Sequence, residues 1–298
     1  RDWRIFADFA YLLIAKSRQS ITPNDTHELF ENHSIYAVDT TTIDLCLNVF
    51  WWAKFRKNKG AIRLHTVLDI KTEIPCFIHI TDGKTHEVNV LDEIEFEANG
   101  FYIMDRGFID YERLYSIHNQ KAFFVTRAKT NMKCRRIYSA RVDKSTGVRY
   151  DQTIKLENVK SLHEYPEKFR RVKYYDAETD KTFIFLTNNI DLSALEIALL
   201  YKHRWKIELF FKWIKQHLKV KSFWGHSENA VRVQIYVAII TFVTVAYMKH
   251  KLEIPLSQYQ ILQILSLTLL NKTPLNQLLS DPNLQNQSNM ECNQLELF

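Results

Sequence analysis

The order in which short β-prone runs and longer helical patterns follow one another constrains this chain more than any other feature. An amphipathic helix is expected over residues 1–18, and Asn24 or Asp25 can cap a second one over 25–32. Residues 34–39 are a short apolar run closing on Asp39. Residues 61–70 and 74–80 read as two more strands around the turn Lys71-Thr72-Glu73, giving an antiparallel start of three strands. The polar segment Thr81-Asp82-Gly83-Lys84-Thr85-His86 leads into a helix expected over 87–97. Phe101-Tyr102-Ile103-Met104-Asp105 is a fourth strand, again closing on an aspartate; a helix at 110–119 and a fifth strand at 122–126 follow. Residues 127–182 show only short alternating patterns, such as 169–175, before a further strand at 183–186. Helical periodicity then runs over 192–218, 229–250 and 256–271, and the Asn- and Gln-rich tail from 281 has no core pattern, which predicts disorder.

This order predicts an α/β chain with a ribonuclease-H-like mixed sheet flanked by helices, and a β-rich insertion before the helix that carries Glu208. The expected divisions are an N-terminal helix and linker over 1–33, a first core part over 34–126, and a basic β-rich insertion over 127–182. A second core part with the C-terminal helices follows over 183–275, then a disordered tail over 276–298. At 298 residues there is enough chain for one large core with an inserted subdomain. Six Gly and six Pro argue against a loop-rich or repeat-built protein. Because the chain opens on Arg1 within a helical pattern, it reads as beginning partway into a longer protein.

Several classes are disfavoured. No signal-peptide layout opens the chain, and the most apolar stretch, 235–248, is 14 residues long, short for a bilayer and suited to a buried core helix. Cys46, Cys76, Cys134 and Cys292 lie far apart without zinc spacing, which argues against a disulfide framework or zinc finger and fits a reducing cytoplasm. The net charge of +6 is unevenly placed: 127–182 holds 15 Lys/Arg against 8 Asp/Glu, and 202–221 holds seven Lys/Arg against one Glu. Two basic segments in an otherwise acidic chain are what a polyanion-binding surface requires, although a solvated basic face has the same composition.

Asp39 and Asp105 end the first and fourth strands, which lie side by side in this plan, so the two acids converge at one sheet edge. Taken singly, an Asp at a strand end is most often a turn or helix cap. A third acid, Glu208, stands in a strongly basic helix. At about 100° per residue, Tyr201, Arg204, Glu208 and Lys215 share one narrow stripe. Glu208 can also be read as a simple i,i+4 partner of Arg204 or Lys212. Three carboxylates without thiols or clustered His suit a hard cation such as Mg²⁺ or Mn²⁺, and two such ions can activate a nucleophile and stabilise the leaving oxygen at phosphorus.

At these residues the chain resembles the bacterial insertion-sequence transposases of the IS-four type, within the D-D-E superfamily. The resemblance rests on Asp39-Thr40-Thr41, on Tyr102-Ile103-Met104-Asp105-Arg106-Gly107-Phe108, and on a Y-x2-R-x3-E-x6-K signature met by Tyr201, Arg204, Glu208 and Lys215. It covers roughly 35–250, with fainter echoes at Gly60-x-x-Arg63-x-His65 and Gly83-Lys84-Thr85-His86-Glu87, where His65 and His86 are expected to be structural. The resemblance implies cut-and-paste DNA transposition by a homodimer that pairs two element ends and joins the freed 3′-hydroxyls to target DNA. Asp39, Asp105 and Glu208 would be its metal-binding catalytic acids. Tyr201, Arg204 and Lys215, with Lys212 beside them, would contact DNA, as would the basic insertion. A cytoplasmic, nucleoid-associated protein without membrane attachment is implied. Members carry an N-terminal DNA-binding region where this chain has one helix and a linker, which limits the expectation to a catalytic core. A DNA-binding remnant that inhibits a full-length transposase is the alternative, and a structure-selective nuclease on the same fold a third.

Overall fold

The computed structural model describes residues 1–21, 33–56, 59–217, 223–268, 272, 274 and 278–279. The helix expected over 25–32, the end of that over 256–271, the tail from 281, and the lysines at 219 and 221 therefore lie outside the described residues. The chain groups into two compact units, one of residues 23–212 and one of 1–22 with 213–298.

The larger unit is built on one mixed sheet. Strands β1 (Ile35–Leu45), β3 (Lys59–Asp69) and β4 (Pro75–Asp82) form an antiparallel meander, with the short β2 (Lys54–Arg56) also on β3. On the other side of β1 lie β5 (Phe101–Met104) and β6 (Phe123–Arg127), both parallel to it. The expected side-by-side placement of first and fourth predicted strands is thus observed as β1 against β5. Ile35, Ala37, Val38 and all four residues of β5 are almost wholly buried. Such unbroken apolar runs are what strands covered on both faces require.

The insertion forms no separate sheet. β7 (Cys134–Ala140), β8 (Val148–Leu156) and β9 (Phe169–Asp176) continue outward from β10 (Lys181–Thr187), which pairs with both β9 and β6. Ile154, Leu156, Tyr165 and Phe169 from this segment share one apolar core with Tyr36, Val38, Met104 and Phe124. β8 and β9 bury mainly alternate residues, as half-covered antiparallel strands do, and β7 is a largely exposed edge carrying Arg135 and Arg136.

The helices among the described residues are α1 (Trp3–Ser20), α2 (Tyr111–Asn119), α3 (Val159–Glu164), α4 (Ala194–Lys202), α5 (Trp205–His217), α6 (Glu228–Lys251) and α7 (Gln258–Thr268). Three differ from expectation. Residues Glu87–Glu93 form a 3₁₀ segment rather than a helix over 87–97, and α3 interrupts the β-rich insertion. The periodicity over 192–218 is two helices, because the amides of His203, Arg204, Lys206 and Ile207 all bond to carbonyls three residues back. That tightening turns the chain between α4 and α5. α4 itself starts on a reciprocal Ser193–Glu196 capping box.

In the smaller unit α1 packs on α6. Trp3 stacks on Tyr236 at 5.8 Å, and Asn229 accepts from the Trp3 amide at 2.9 Å. α6 is, among the described residues, the one helix long and apolar enough to cross a membrane by length and composition. Its apolar stretch is longer than the run 235–248 suggested, yet Val231, Ile235, Ile239, Val243 and Val245 are buried, as in a core helix.

Candidate active site

The last parallel rung between β1 and β5 joins Val38 to Met104, and the next residue on each strand is an aspartate. Partners in a parallel register point to the same face, so Asp39 and Asp105 lie on one side of the same sheet edge. β1 does not end at Asp39, as the sequence suggested; it runs on to Leu45 against β3, where Asp39 pairs with Thr66. What ends there is the contact with β5.

Asp39 accepts a hydrogen bond from the Thr40 amide at 2.8 Å and lies 3.3 Å from the Arg204 guanidinium. Burial nevertheless pushes its carboxyl up from 3.8 to about 6, opposed by the Thr40 amide and Arg204 and reinforced by the charges of Glu208 and Asp105. Desolvation outweighs the ion pair here. Asp105 precedes the 3₁₀ turn Arg106–Phe108, but its side chain caps nothing. Its Oδ1 is buried without a hydrogen-bond partner, while Thr126 donates to its main-chain carbonyl at 3.1 Å. A Cβ at Gly107 would meet the Glu87 carboxylate, so a larger residue there would displace that side chain.

Glu208 lies in the first turn of α5, and Arg204, just before that helix, bonds to it while also reaching Asp39. The i,i+4 pair read from the sequence therefore exists, with the same guanidinium tying Glu208 to the aspartate. Lys206 fixes the start of α5 on the sheet, donating to the Ile70 carbonyl at 3.2 Å and pairing with Glu73 at 3.0 Å. Arg170 anchors the approach to α4, gripping Asp151 through two bonds of 2.8 and 2.7 Å and donating to the Leu192 carbonyl. Neither Lys206 nor Arg170 was singled out by the sequence, since nothing local marks their distant partners.

The turn at 203–204 breaks the single stripe computed for Tyr201 to Lys215. Tyr201 is buried, its ring 4.8 Å from that of Phe185, with the Arg204 guanidinium 5.8 Å from its own ring centre. Lys212 is exposed on α5, and Lys215 is half-buried further along it. His65 is a structural strut: its two ring nitrogens meet the Thr40 and Thr81 hydroxyls, each at 2.8 Å. Burial, with His79 and Arg63 nearby, lowers it to about 4, so the ring is neutral. His86 is exposed.

Among the described residues no three His, Cys, Asp or Glu side chains are gathered closely enough to hold a metal. The Arg204 guanidinium stands between Asp39 and Glu208 instead. The donor set still fits a hard divalent cation. It is all carboxylate oxygen, one oxygen of Asp105 is buried and unpaired, and Asp39 feels both other acids as repulsive charges.

The family model described as a transposase DDE domain matches residues 31–243, a span holding all three acids, Tyr201, Arg204 and both expected DNA-contacting lysines. A Sinorhizobium fredii protein named as a transposase is 36% identical over 209 residues, covering 69% of this chain and 58% of that protein. A Geobacillus stearothermophilus protein named as a transposase for insertion sequence element IS5377 is 30% identical over 213 residues, covering 71% and 55%. The chain thus spans little more than half the length of these relatives. It also overlays on the piggyBac transposase in a synaptic complex with hairpin DNA, at a TM-score of 0.45 and 11% identity, over 87% of this chain and 56% of that one. The chain belongs to the transposase DDE domain family, among the insertion-sequence transposases of the IS-four type.

Proposed function

We propose that this chain is the catalytic core of a transposase that cleaves DNA at insertion-sequence ends and joins the freed ends to target DNA by cut-and-paste transposition. The observation that carries the reading is the placement of Asp39 and Asp105 one residue beyond the last β1–β5 rung, with an oxygen of Asp105 buried and unpaired.

Asp39, Asp105 and Glu208 would hold the divalent metal on which the family depends, Mg²⁺ or Mn²⁺ and two ions in this reading. Bound there, the metal supplies Lewis-acid stabilisation of charge at phosphorus and lowers the pKa of an attacking water or hydroxyl. The protein's own part is positional. The Thr40 amide orients Asp39, the Thr126 hydroxyl holds the main chain at Asp105, and Lys206 sets the height of α5 and so of Glu208. Arg204 acts as the counterion that lets Asp39 and Glu208 stand close, and it is suited to a substrate phosphate once released from them. Tyr201 would act through Arg204, whose guanidinium its ring faces, while Lys212 and Lys215 would meet DNA from α5.

In this reading 34–126 and 183–275 are the core, 127–182 grips DNA, and 1–33 and 276–298 lie outside it. The substrate-bound form is a homodimer on two element ends, in the cytoplasm at the nucleoid. A supercoiled plasmid bearing the element ends tests the assignment. With Mg²⁺, Asp39→Asn, Asp105→Asn and Glu208→Gln each lower nicking and joining by more than about 10²-fold, with folded far-ultraviolet spectra. Wild-type nicking by all three variants means the acids are misassigned.

A further inference from the structure

A groove of about 220 Å³ is lined by Arg106, the residue after Asp105, and by Arg127, Lys129 and Arg171 together with Met132 and Phe183. Its cations come from four places: the 3₁₀ turn after β5, the end of β6, the segment beyond it, and β9. No acidic residue lines it, and none of the four cations forms a salt bridge among the described residues.

Three of the four cations are held in place by something other than a carboxylate. Lys129 donates to the Ile109 carbonyl at 3.0 Å. Arg171 donates to Gln152 Oε1 at 2.6 Å and to Cys134 Sγ at 3.2 Å, with its guanidinium 5.2 Å from the Tyr150 ring centre. Arg127 lies over Phe183 at 5.5 Å. The Arg106 side chain makes no hydrogen bond or ion pair among the described residues, while its carbonyl accepts from the Ile109 amide. Four like charges held around one concavity repel one another, and an anion that enters relieves that repulsion. The groove is also tied to the acids. Arg106 follows Asp105 directly, and Arg127 follows Thr126, whose hydroxyl holds the Asp105 carbonyl.

We propose that this groove binds the sugar-phosphate backbone of one DNA strand next to the bond that is cut. The inference rests on the transposase reading for its ligand. Arg106 and Arg127 meet the phosphates nearest Asp105, while Lys129 and Arg171 carry the strand toward the insertion. Phe183 and Met132 give the sugars and base edges an apolar wall. Four cations and no acid make the lining suited to phosphate oxygens, so the contact is with backbone.

The test is fluorescence-anisotropy titration of the full chain with a labelled oligodeoxythymidine across a salt series. EDTA is present throughout, so that metal chemistry plays no part. Arg106→Ala/Arg127→Ala lowers affinity by roughly tenfold or more at low salt. It also makes the slope of log K against log salt shallower by about 1.4, two single-strand phosphate contacts. Arg106→Lys/Arg127→Lys restores most of that slope. Lys249→Ala/Lys251→Ala on α6, with the same loss of charge, changes it by less than half as much. Equal changes in the groove variant and the α6 variant overturn the groove while leaving the transposase reading intact. A wild-type chain that binds the oligonucleotide without salt dependence overturns both.

Discussion

At the residue scale, the cost of keeping Asp39 ionised inside the fold is the most informative quantity. Burial raises its carboxyl from 3.8 to about 6, so the folded state favours the protonated form. A raised folded pKa gives stability that is fully present below 3.8 and lost as pH rises through about 6. At pH 7 the metal-free protein therefore carries a penalty of about 1–3 kcal/mol, the upper figure being the full shift. Asp39→Asn removes that charge. In EDTA at pH 7 it raises unfolding stability by about 1–2 kcal/mol after allowing for the lost Arg204 pairing, and the gain shrinks toward pH 4. Urea unfolding at both pH values measures this, and an Asn variant less stable than wild type at pH 7 contradicts it. Destabilisation of this kind is expected where a site is shaped for a cation rather than for the fold's own stability.

At the element scale, Glu208 is as well placed as the start of α5. Lys206 pins that start through the Ile70 carbonyl and Glu73, and Arg204 pins it through Asp39. Lys206→Met removes a charge-assisted bond from a half-buried position. The amides of 205–212 then exchange about tenfold faster with deuterium, while those of β1 and β5 are unchanged; equal acceleration in both regions argues against a local pin. The juxtaposition of Asp39 and Asp105 was legible in the sequence because two apolar runs of strand length both close on an acid, and a central parallel pair demands such runs. The break between α4 and α5 was not legible. No Gly or Pro marks residues 203–204, and apolar periodicity continues through them, so the turn exists only as a set of shortened hydrogen bonds. The continuity of the insertion with the main sheet was hidden for a different reason. β10 pairs with β6 across a long sequence separation, and alternation along a strand does not name its partner. Arg106, quoted only as part of a motif, and Arg127, only as the start of a basic segment, were not singled out as a pair, because each is an ordinary cation until the fold sets them around one concavity.

At the scale of the whole molecule, the larger unit holds the acids, their counterion and the basic groove in one sheet-based body, and its neighbouring unit is helical among the described residues. The basic insertion extends the sheet that carries Asp39 and Asp105, and under the proposed function a DNA strand lying along it would be led to the two acids. The proposed function stands or falls on whether these aspartates, joined by Glu208, form the metal site of the cleavage reaction. Mn²⁺ titration followed by electron paramagnetic resonance, on the full chain near neutral pH, tests it most directly. Saturable Mn²⁺ binding by the wild type is expected, lost in Asp39→Asn and in Asp105→Asn and weakened in Glu208→Gln, with all variants folded. Undiminished Mn²⁺ binding by Asp39→Asn and Asp105→Asn would contradict it.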